Sequence, residues 1–166
     1  VVMRKVFVFI LVVFSLQSCS DEVRFNSPAM QAHKNGSVLW KTQFRAADID
    51  NGGFVIEGRN SGEVLQLITT SDSRGTFEIG PGTGNIAFFV DVDGTIYSSE
   101  NMPDPSVSIY PPTGQIIVDD IDNDNPMNVY GTFWFYAYTA DGLNVVNFNE
   151  GVFYKVPLVG GLLQIN

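Results

Sequence analysis

The chain has very little of the residue types on which nucleophilic and zinc-dependent catalysis rely. Its 166 residues include one cysteine, Cys19, and one histidine, His33. A hydrolase built on histidine needs the imidazole next to a nucleophile or to further metal ligands. We therefore predict that the chain is not an enzyme, with paired carboxylates as the remaining catalytic alternative on a glycan substrate. Because His33 precedes the turn signal Asn35-Gly36, it is predicted to be an exposed loop residue.

Positive charge is also scarce. Lysine and arginine number 9 against 18 aspartates and glutamates, which gives a formal net charge of -9. Without a cationic patch to release counterions, the chain is not expected to bind nucleic acid. Hydrophobic residues reach 45% and aromatic residues 13%, and this apolar surface can offset the entropy cost of ordering the chain. We expect one folded domain and predict no cofactor other than the calcium considered below.

One long apolar run lies near the N-terminus. Residues 6–14 are apolar without interruption and follow the basic pair Arg4-Lys5. The run is too short to cross a hydrocarbon core of about 30 Å, which needs about 20 residues. A basic start followed by a short apolar run is typical of a secretory signal peptide. Residues 1–18 are therefore predicted to be a signal peptide and not part of the fold.

The solitary cysteine follows this run directly. The motif Leu16-Gln17-Ser18-Cys19 resembles the lipobox of bacterial lipoproteins, in which the cysteine sulfur receives a diacylglyceryl group and becomes the new N-terminus. This resemblance implies that Cys19 is lipidated and that residues 19–26 form a tether between the membrane and a domain at residues 27–166. The alternative is an ordinary secreted protein with an unpaired thiol.

The residues after the cysteine carry a further signal. Ser20, Asp21 and Glu22 resemble the short acidic export signal that sends lipoproteins of the Bacteroidota to the outer face of the outer membrane. We therefore predict a lipid-anchored protein at the cell surface. The alternative is that these residues are only a solvated part of the tether.

The rest of the chain has the pattern of strands and turns. Apolar residues recur with a period of two, and no window of helical length keeps a period of 3.6. Turn signals such as Asn51-Gly52 and Asp141-Gly142 separate the segments. We predict an all-β fold, a single antiparallel β-sandwich or barrel of about ten short strands. The predicted strands include residues 38–44, 54–59, 63–70, 86–92, 95–98, 115–121, 127–139, 143–149 and 151–156.

One predicted strand is unusually aromatic. Alternation places Phe133, Phe135 and Ala137 on one of its faces, and the opposite face carries Tyr130, Thr132, Trp134, Tyr136 and Tyr138. Tyrosine and tryptophan combine an apolar ring with a polar group, so the second face is predicted to bind a ligand such as a sugar ring or an aromatic-rich partner. The alternative is that a loop or a second sheet covers this face.

Acidic residues cluster at 119–125. Asp120, Asp122 and Asp124 have the alternate spacing with which calcium loops collect oxygen ligands. The EF-hand pattern fails because Asn125 occupies the glycine position and Gly131 the position of the final glutamate. Calcium is thus a weak prediction, and a solvated hairpin loop is the alternative.

Four motifs together indicate a family. They are Gly131-Thr132-Phe133-Trp134-Phe135-Tyr136-Ala137, Gly151-Val152-Phe153-Tyr154-Lys155-Val156, Gly75-Thr76-Phe77 and Asn35-Gly36-Ser37-Val38-Leu39-Trp40. With these motifs the chain resembles small all-β outer-membrane lipoproteins of the Bacteroidota that carry an uncharacterised domain. The resemblance implies a membrane-anchored β domain and assigns no functional residues. We expect a non-catalytic module that binds a glycan or an envelope partner, with a purely structural envelope protein as the alternative.

Overall fold

The computed structural model describes residues 27–165, and these residues form strands and turns without a helix. Within this range no helix is long and apolar enough to cross a membrane. Cys19 and the residues Ser20, Asp21 and Glu22 lie outside the described part of the chain. The eleven strands are β1 (Ala29–Lys34), β2 (Val38–Lys41), β3 (Phe44–Asp50), β4 (Gly53–Asn60), β5 (Glu63–Ile68), β6 (Gly75–Ile79), β7 (Ile86–Val90), β8 (Ile96–Ser98), β9 (Gly114–Ile121), β10 (Asn128–Tyr138) and β11 (Val145–Pro157).

The strands pair antiparallel in one curled sheet, which confirms the predicted all-β antiparallel fold. The main path of the sheet runs β2-β1-β11-β10-β8-β7-β5-β4-β3, and β9 and β6 branch from β10. At its β3 end the path returns towards β11, where Ala47 forms a parallel bridge with Leu158. The sheet therefore encloses an inner face and leaves an outer face on its convex side.

The hydrophobic core fills the inner face and is rich in aromatic rings. Phe148 is completely buried, and its ring centroid lies 5.1 Å from those of Phe89 and Phe135 and 5.5 Å from that of Trp40. Each such ring pair stabilises the fold by about 0.5–1.5 kcal/mol beyond simple burial. The three partners come from β2, β7 and β10, so this one side chain ties together strands that are distant in the chain.

Residues 158–165, which we call the C-terminal strap, cover part of the outer face. The side-chain amide of Gln66 makes two hydrogen bonds to the strap. Its Nε2 donates to Leu163 O at 2.7 Å, and its Oε1 accepts from Ile165 N at 2.9 Å. A small apolar cluster lies beneath the strap and consists of Val55, Ile68 and Phe88, with Ile86, Leu162 and Ile165 packed against it. The outer face of β4, β5 and β7 is therefore covered.

Strands β1 and β6, and β3 beyond its first residue, were not among the strands predicted from the sequence. β1 pairs with β2 on one side and β11 on the other, although its sequence Ala-Met-Gln-Ala-His-Lys contains no β-branched residue and has low intrinsic strand propensity. The prediction that His33 is a loop residue is consequently wrong. His33 lies in β1, its side chain is 39% exposed, and its Nδ1 is 3.0 Å from Glu150 Oε2.

Two strand boundaries also differ from the prediction. Residues 38–44 are not one strand, because the chain leaves β2 at Thr42 and Gln43 and enters β3, which pairs with β4 instead of β1. Residues 143–149 and 151–156 are not two strands either. They belong to the single strand β11, which continues through an irregularity at Glu150, whose φ of 51° is left-handed.

Candidate functional site

The predicted alternation of β10 is confirmed for most of its length. Phe133, Phe135 and Ala137 are buried in the core, whereas Trp134 and Tyr136 are 37% and 38% exposed on the outer face. Tyr130 is partly buried on the same outer face. The prediction that Tyr138 shares this exposed surface is wrong, because it is only 5% exposed and lies where β8 begins to pair with β10 at Ser98.

The neighbours of Trp134 across the sheet are polar. Trp134 pairs with Gln115 of β9 on one side and lies beside the irregular segment of β11 that contains Asn149 and Glu150 on the other. Gln115 Nε2 donates to Glu78 Oε1 of β6 at 2.7 Å. One exposed indole ring is thus flanked by an amide group of β9 and by amide and carboxylate groups of β11.

An irregularity in β11 shapes the surface next to Trp134. Phe133 pairs with Gly151 and Phe135 with Phe148, so Asn149 and Glu150 together lie opposite Trp134. This two-against-one arrangement is a β-bulge, a feature that re-aims side chains and is frequent next to binding sites. Glu150 is 79% exposed and contacts only His33 among the side-chain groups of the described residues, so its carboxylate remains accessible.

These residues line a shallow groove of about 400 Å³ on the outer face. The apolar Ile117 and Val152 line it together with Thr132 and Trp134. The complete lining is Gln115, Ile117, Thr132, Phe133, Trp134, Asn149, Glu150, Gly151 and Val152. Of the four aromatic residues predicted to bind a ligand, only Trp134 lines this groove. The polar residues Gln115, Asn149 and Glu150 were missed, because β-sheet pairing across distant segments places them there.

Tyr130 lies at the other end of the strand and has a different role. Its hydroxyl donates to Asp122 Oδ2 at 2.6 Å, and the backbone N–H of Asn128 donates to Asp122 Oδ1 at 2.8 Å. These hydrogen bonds lower the pKa of Asp122 to about 2, and the bond from Tyr130 has the largest effect. The carboxylate in turn raises the pKa of Tyr130 above its usual 10.0. Tyr130 also packs edge-on against Tyr154 at 5.1 Å between ring centroids.

The structure does not bring the three predicted calcium ligands together. Asp120 forms an ion pair with Arg74, Asp122 accepts the hydrogen bonds just described, and Asp124 lies 3.9 Å from Lys155 Nζ. Among residues 27–165, no group of three or more histidine, cysteine, aspartate or glutamate side chains is arranged to hold a metal ion. The alternate spacing of the aspartates in sequence is therefore not a ligand set in space.

A comparison with protein-family models places this sheet in a known group of sequences. The model described as Domain of unknown function (DUF6252) matches residues 26–157. The chain belongs to this family. The DUF6252 match ends with the last residue of β11 and therefore includes all eleven strands and the groove, whereas the C-terminal strap follows it. The expected membership of a family with an uncharacterised domain is confirmed. No curated protein and no solved structure matches the chain.

Proposed function

We propose that this DUF6252 protein is a lipid-anchored binding module of the outer membrane surface and that its groove binds a glycan. The observation that carries the ligand class is the exposed Trp134 above a groove with amide and carboxylate groups at its edge. The apolar face of a sugar ring stacks on an indole, and its hydroxyls exchange hydrogen bonds with amides and carboxylates. Binding needs no catalytic group, in keeping with the predicted absence of enzymatic activity.

The geometry favours a glycan over an aromatic-rich protein partner. A protein interface depletes charged groups at its centre and keeps them at its rim, whereas here Gln115, Asn149 and Glu150 directly flank the exposed indole ring of Trp134. Carboxylate and amide oxygens accept hydrogen bonds from hydroxyl donors, of which a sugar has several. The groove therefore offers one stacking surface and several hydrogen-bonding groups within one small area.

Direct binding to a panel of neutral and amino-sugar oligosaccharides tests this proposal. We expect at least one glycan to bind and Trp134→Ala to weaken its binding by about tenfold, because the stacking contact is lost. Tyr110→Ala is the matched control, since Tyr110 is a 73% exposed aromatic residue outside the groove. Equal loss in both variants, or wild-type affinity in Trp134→Ala, contradicts the groove as the site.

Tryptophan fluorescence provides a second measurement on the same protein. The chain has two tryptophans, of which Trp40 is 2% exposed and Trp134 37% exposed. A glycan in the groove should protect Trp134 from acrylamide quenching and leave the emission of Trp40 unchanged. In Trp134→Phe, the quenchable component and its response to the glycan should both disappear. A response that persists in this variant would place the ligand elsewhere.

The proposed anchor is supported by the lipobox motif that ends at Cys19 and by the acidic residues that follow it. Two or three acyl chains hold a protein on a membrane almost permanently, because each buried methylene contributes about 0.8 kcal/mol. We expect Cys19→Ala to lose incorporated fatty acid and to leave the membrane fraction. Protease accessibility on intact cells, compared with an Asp21→Ala, Glu22→Ala double variant, tests display at the surface. Unchanged exposure in that variant would contradict a role of Asp21 and Glu22 in export to the surface.

A further inference from the structure

A second cavity lies at the seam where β3 approaches the end of β11. Its volume is about 270 Å³, and its lining includes Pro28, Gln43, Arg45, Asn128 and Lys155. The Ala47–Leu158 bridge lies next to this seam. None of these residues belongs to the groove of Trp134, so the cavity is a separate feature of the fold.

The side chain of Arg45 is incompletely satisfied in this cavity. Its Nε is the one buried side-chain nitrogen or oxygen without a hydrogen-bond partner among residues 27–165. Buried polar groups in folded proteins are almost always paired, because an unmade hydrogen bond costs free energy. Arginine is always charged and cannot relieve this cost by losing its proton. Only Nε of this guanidinium is enclosed, so its terminal Nη groups, which pair with no described residue, are the donors left for an acceptor in the cavity.

Arg45 has no carboxylate partner among residues 27–165. The described part contains six lysines and arginines, and three of them, Lys34, Arg59 and Arg74, form ion pairs with a carboxylate within hydrogen-bond distance. Arg45 forms no ion pair with any described residue, although acidic residues outnumber basic ones by 18 to 9. No described carboxylate therefore neutralises the charge of Arg45.

Lys155 supplies a second positive charge to the same cavity. Its Nζ lies 3.9 Å from Asp124 Oδ2, too far for a hydrogen bond, and its side chain is 44% exposed. Its backbone φ of 52° lies in the left-handed region, which a lysine rarely adopts. This conformation belongs to a second β-bulge of β11, in which Tyr154 and Lys155 together lie opposite Tyr130, and such a bulge re-aims the side chain. Two cations with spare hydrogen-bonding capacity therefore line one cavity.

We infer that this cavity binds the phosphate group of a small ligand between Arg45 and Lys155. A planar guanidinium offers paired donors that match a phosphate, and an ammonium adds a point charge. The amide of Gln43 lines the same space and makes only a 3.4 Å bond to Ser61 Oγ, so it is available as a further donor. Because the net charge of the chain is -9, a small phosphate is favoured over an extended polyanion.

Two sources can supply this phosphate group. One is free inorganic phosphate, and the other is the phosphodiester of a lipid headgroup. Pro28 lines the cavity nine residues after Cys19, and nine extended residues span at most about 30 Å. The headgroup source rests on the proposed lipid anchor, whereas the cavity and its cations do not. Failure of the anchor would therefore leave the phosphate site standing.

Calorimetric titration of the purified full-length protein with inorganic phosphate tests the site. Sodium chloride keeps the ionic strength constant, so that screening is the same at each concentration. We expect wild type to bind phosphate and Arg45→Gln and Lys155→Gln each to bind about tenfold more weakly, the loss expected for one charge-assisted hydrogen bond. Arg45→Lys, which keeps the charge and loses the guanidinium fork, should bind more weakly than wild type.

Two further variants complete the design. Arg74→Gln removes an exposed cation whose partner is Asp120, outside the cavity, and should bind phosphate as wild type does. Asp124→Asn removes the carboxylate near Lys155 and should tighten binding. No heat of binding in wild type, or the same affinity in Arg45→Gln, Lys155→Gln and Arg74→Gln, overturns the proposal. Competition by the deacylated headgroup glycerophosphoglycerol identifies a lipid source, and binding of inorganic phosphate alone identifies a free one.

Discussion

The hydroxyl of Tyr130 donates a 2.6 Å hydrogen bond to Asp122 Oδ2 and fixes the end of the acidic loop against β10. The backbone N–H of Asn128 and the amide Nδ2 of the same residue also donate to this carboxylate. Asp122 therefore serves as a structural acceptor that closes the turn between β9 and β10. The carboxylate of Asp122, which the sequence suggested as a metal ligand, thus already accepts hydrogen bonds from groups of the protein.

This bond makes the stability of the protein depend on pH in a defined range. The folded-state pKa of Asp122 is about 2, below its ordinary value of 3.8. A depressed carboxyl pKa stabilises the fold above the unfolded-state pKa, and the contribution is lost as the pH falls through the folded-state value. We expect Tyr130→Phe to raise the pKa of Asp122 and to lower the melting temperature at neutral pH. The difference from wild type should shrink between about pH 4 and pH 2.

Tyr136→Phe is the control for this prediction. Tyr136 is an outward-facing tyrosine of the same strand, and within the described structure its hydroxyl makes no hydrogen bond. Its replacement should leave the melting temperature and its pH dependence unchanged. A Tyr130→Phe variant whose difference from wild type is constant from neutral pH to pH 2 would show that Asp122 is not the group involved.

Gly131 is required for the close packing of β9, β10 and β11. A Cβ at this position would lie 1.9 Å from Ile117 O and 2.4 Å from Phe153 Cζ, and the first of these contacts is with backbone that cannot move aside. We expect Gly131→Ala to destabilise the protein by about 3 kcal/mol or more, as severe overpacking does. Urea unfolding monitored by circular dichroism measures the change.

Gly75 provides the matched glycine. Gly75 lies in β6, which pairs with β9. A Cβ added there would meet only the ring of Phe77, at 3.7 Å, which is an ordinary van der Waals contact. Gly75→Ala should be neutral or stabilise by about 0.5–1 kcal/mol, because alanine loses less conformational freedom on folding. Equal effects in the two variants would mean that the contacts at Gly131 relax easily.

Strand alternation allowed much of the fold and one element of the site to be predicted. The apolar period of residues 127–139 identified β10 and correctly divided Phe133 and Phe135 from Trp134 and Tyr136. This succeeded because side-chain direction in a strand is a local property. Such information cannot show that Tyr138 is buried where β8 pairs with β10, or that a bulge in β11 places Glu150 beside Trp134, since both depend on pairing between distant segments. For the same reason, neither the Arg45 cavity nor the burial of the low-propensity strand β1 was predicted.

The C-terminal strap should detach when its central anchor is removed. Gln66 is 1% exposed and binds Glu57, Leu163 and Ile165 through its amide group. We expect Gln66→Ala to cost about 2–4 kcal/mol of unfolding free energy, from the lost hydrogen bonds and the cavity left behind. Hydrogen exchange at the Ile165 amide should accelerate, because that N–H loses its acceptor.

Gln164→Ala tests whether this effect belongs to the buried anchor. The amide of Gln164 donates to Asp50 Oδ2 at 3.0 Å in an exposed position, so its loss should change stability by less than about 0.5 kcal/mol. Unchanged exchange at Ile165 in Gln66→Ala would contradict the anchoring role of Gln66. It would assign the strap to its other contacts, the apolar packing of Leu162 and Ile165 and the hydrogen bonds to β3.

Calcium should not stabilise the folded protein through the acidic loop. Asp120 forms an ion pair with Arg74, and Asp122 accepts hydrogen bonds from Tyr130 and Asn128. Asp124 lies near Lys155. A cation would have to displace these partners. A ligand selective for the folded state increases the free energy of unfolding by RT ln(1 + [L]/Kd) and thereby raises the melting temperature. We expect millimolar calcium and magnesium to give the same melting temperature at equal ionic strength. A calcium-specific increase that Asp122→Asn abolishes would instead show that the loop rearranges to form a metal site.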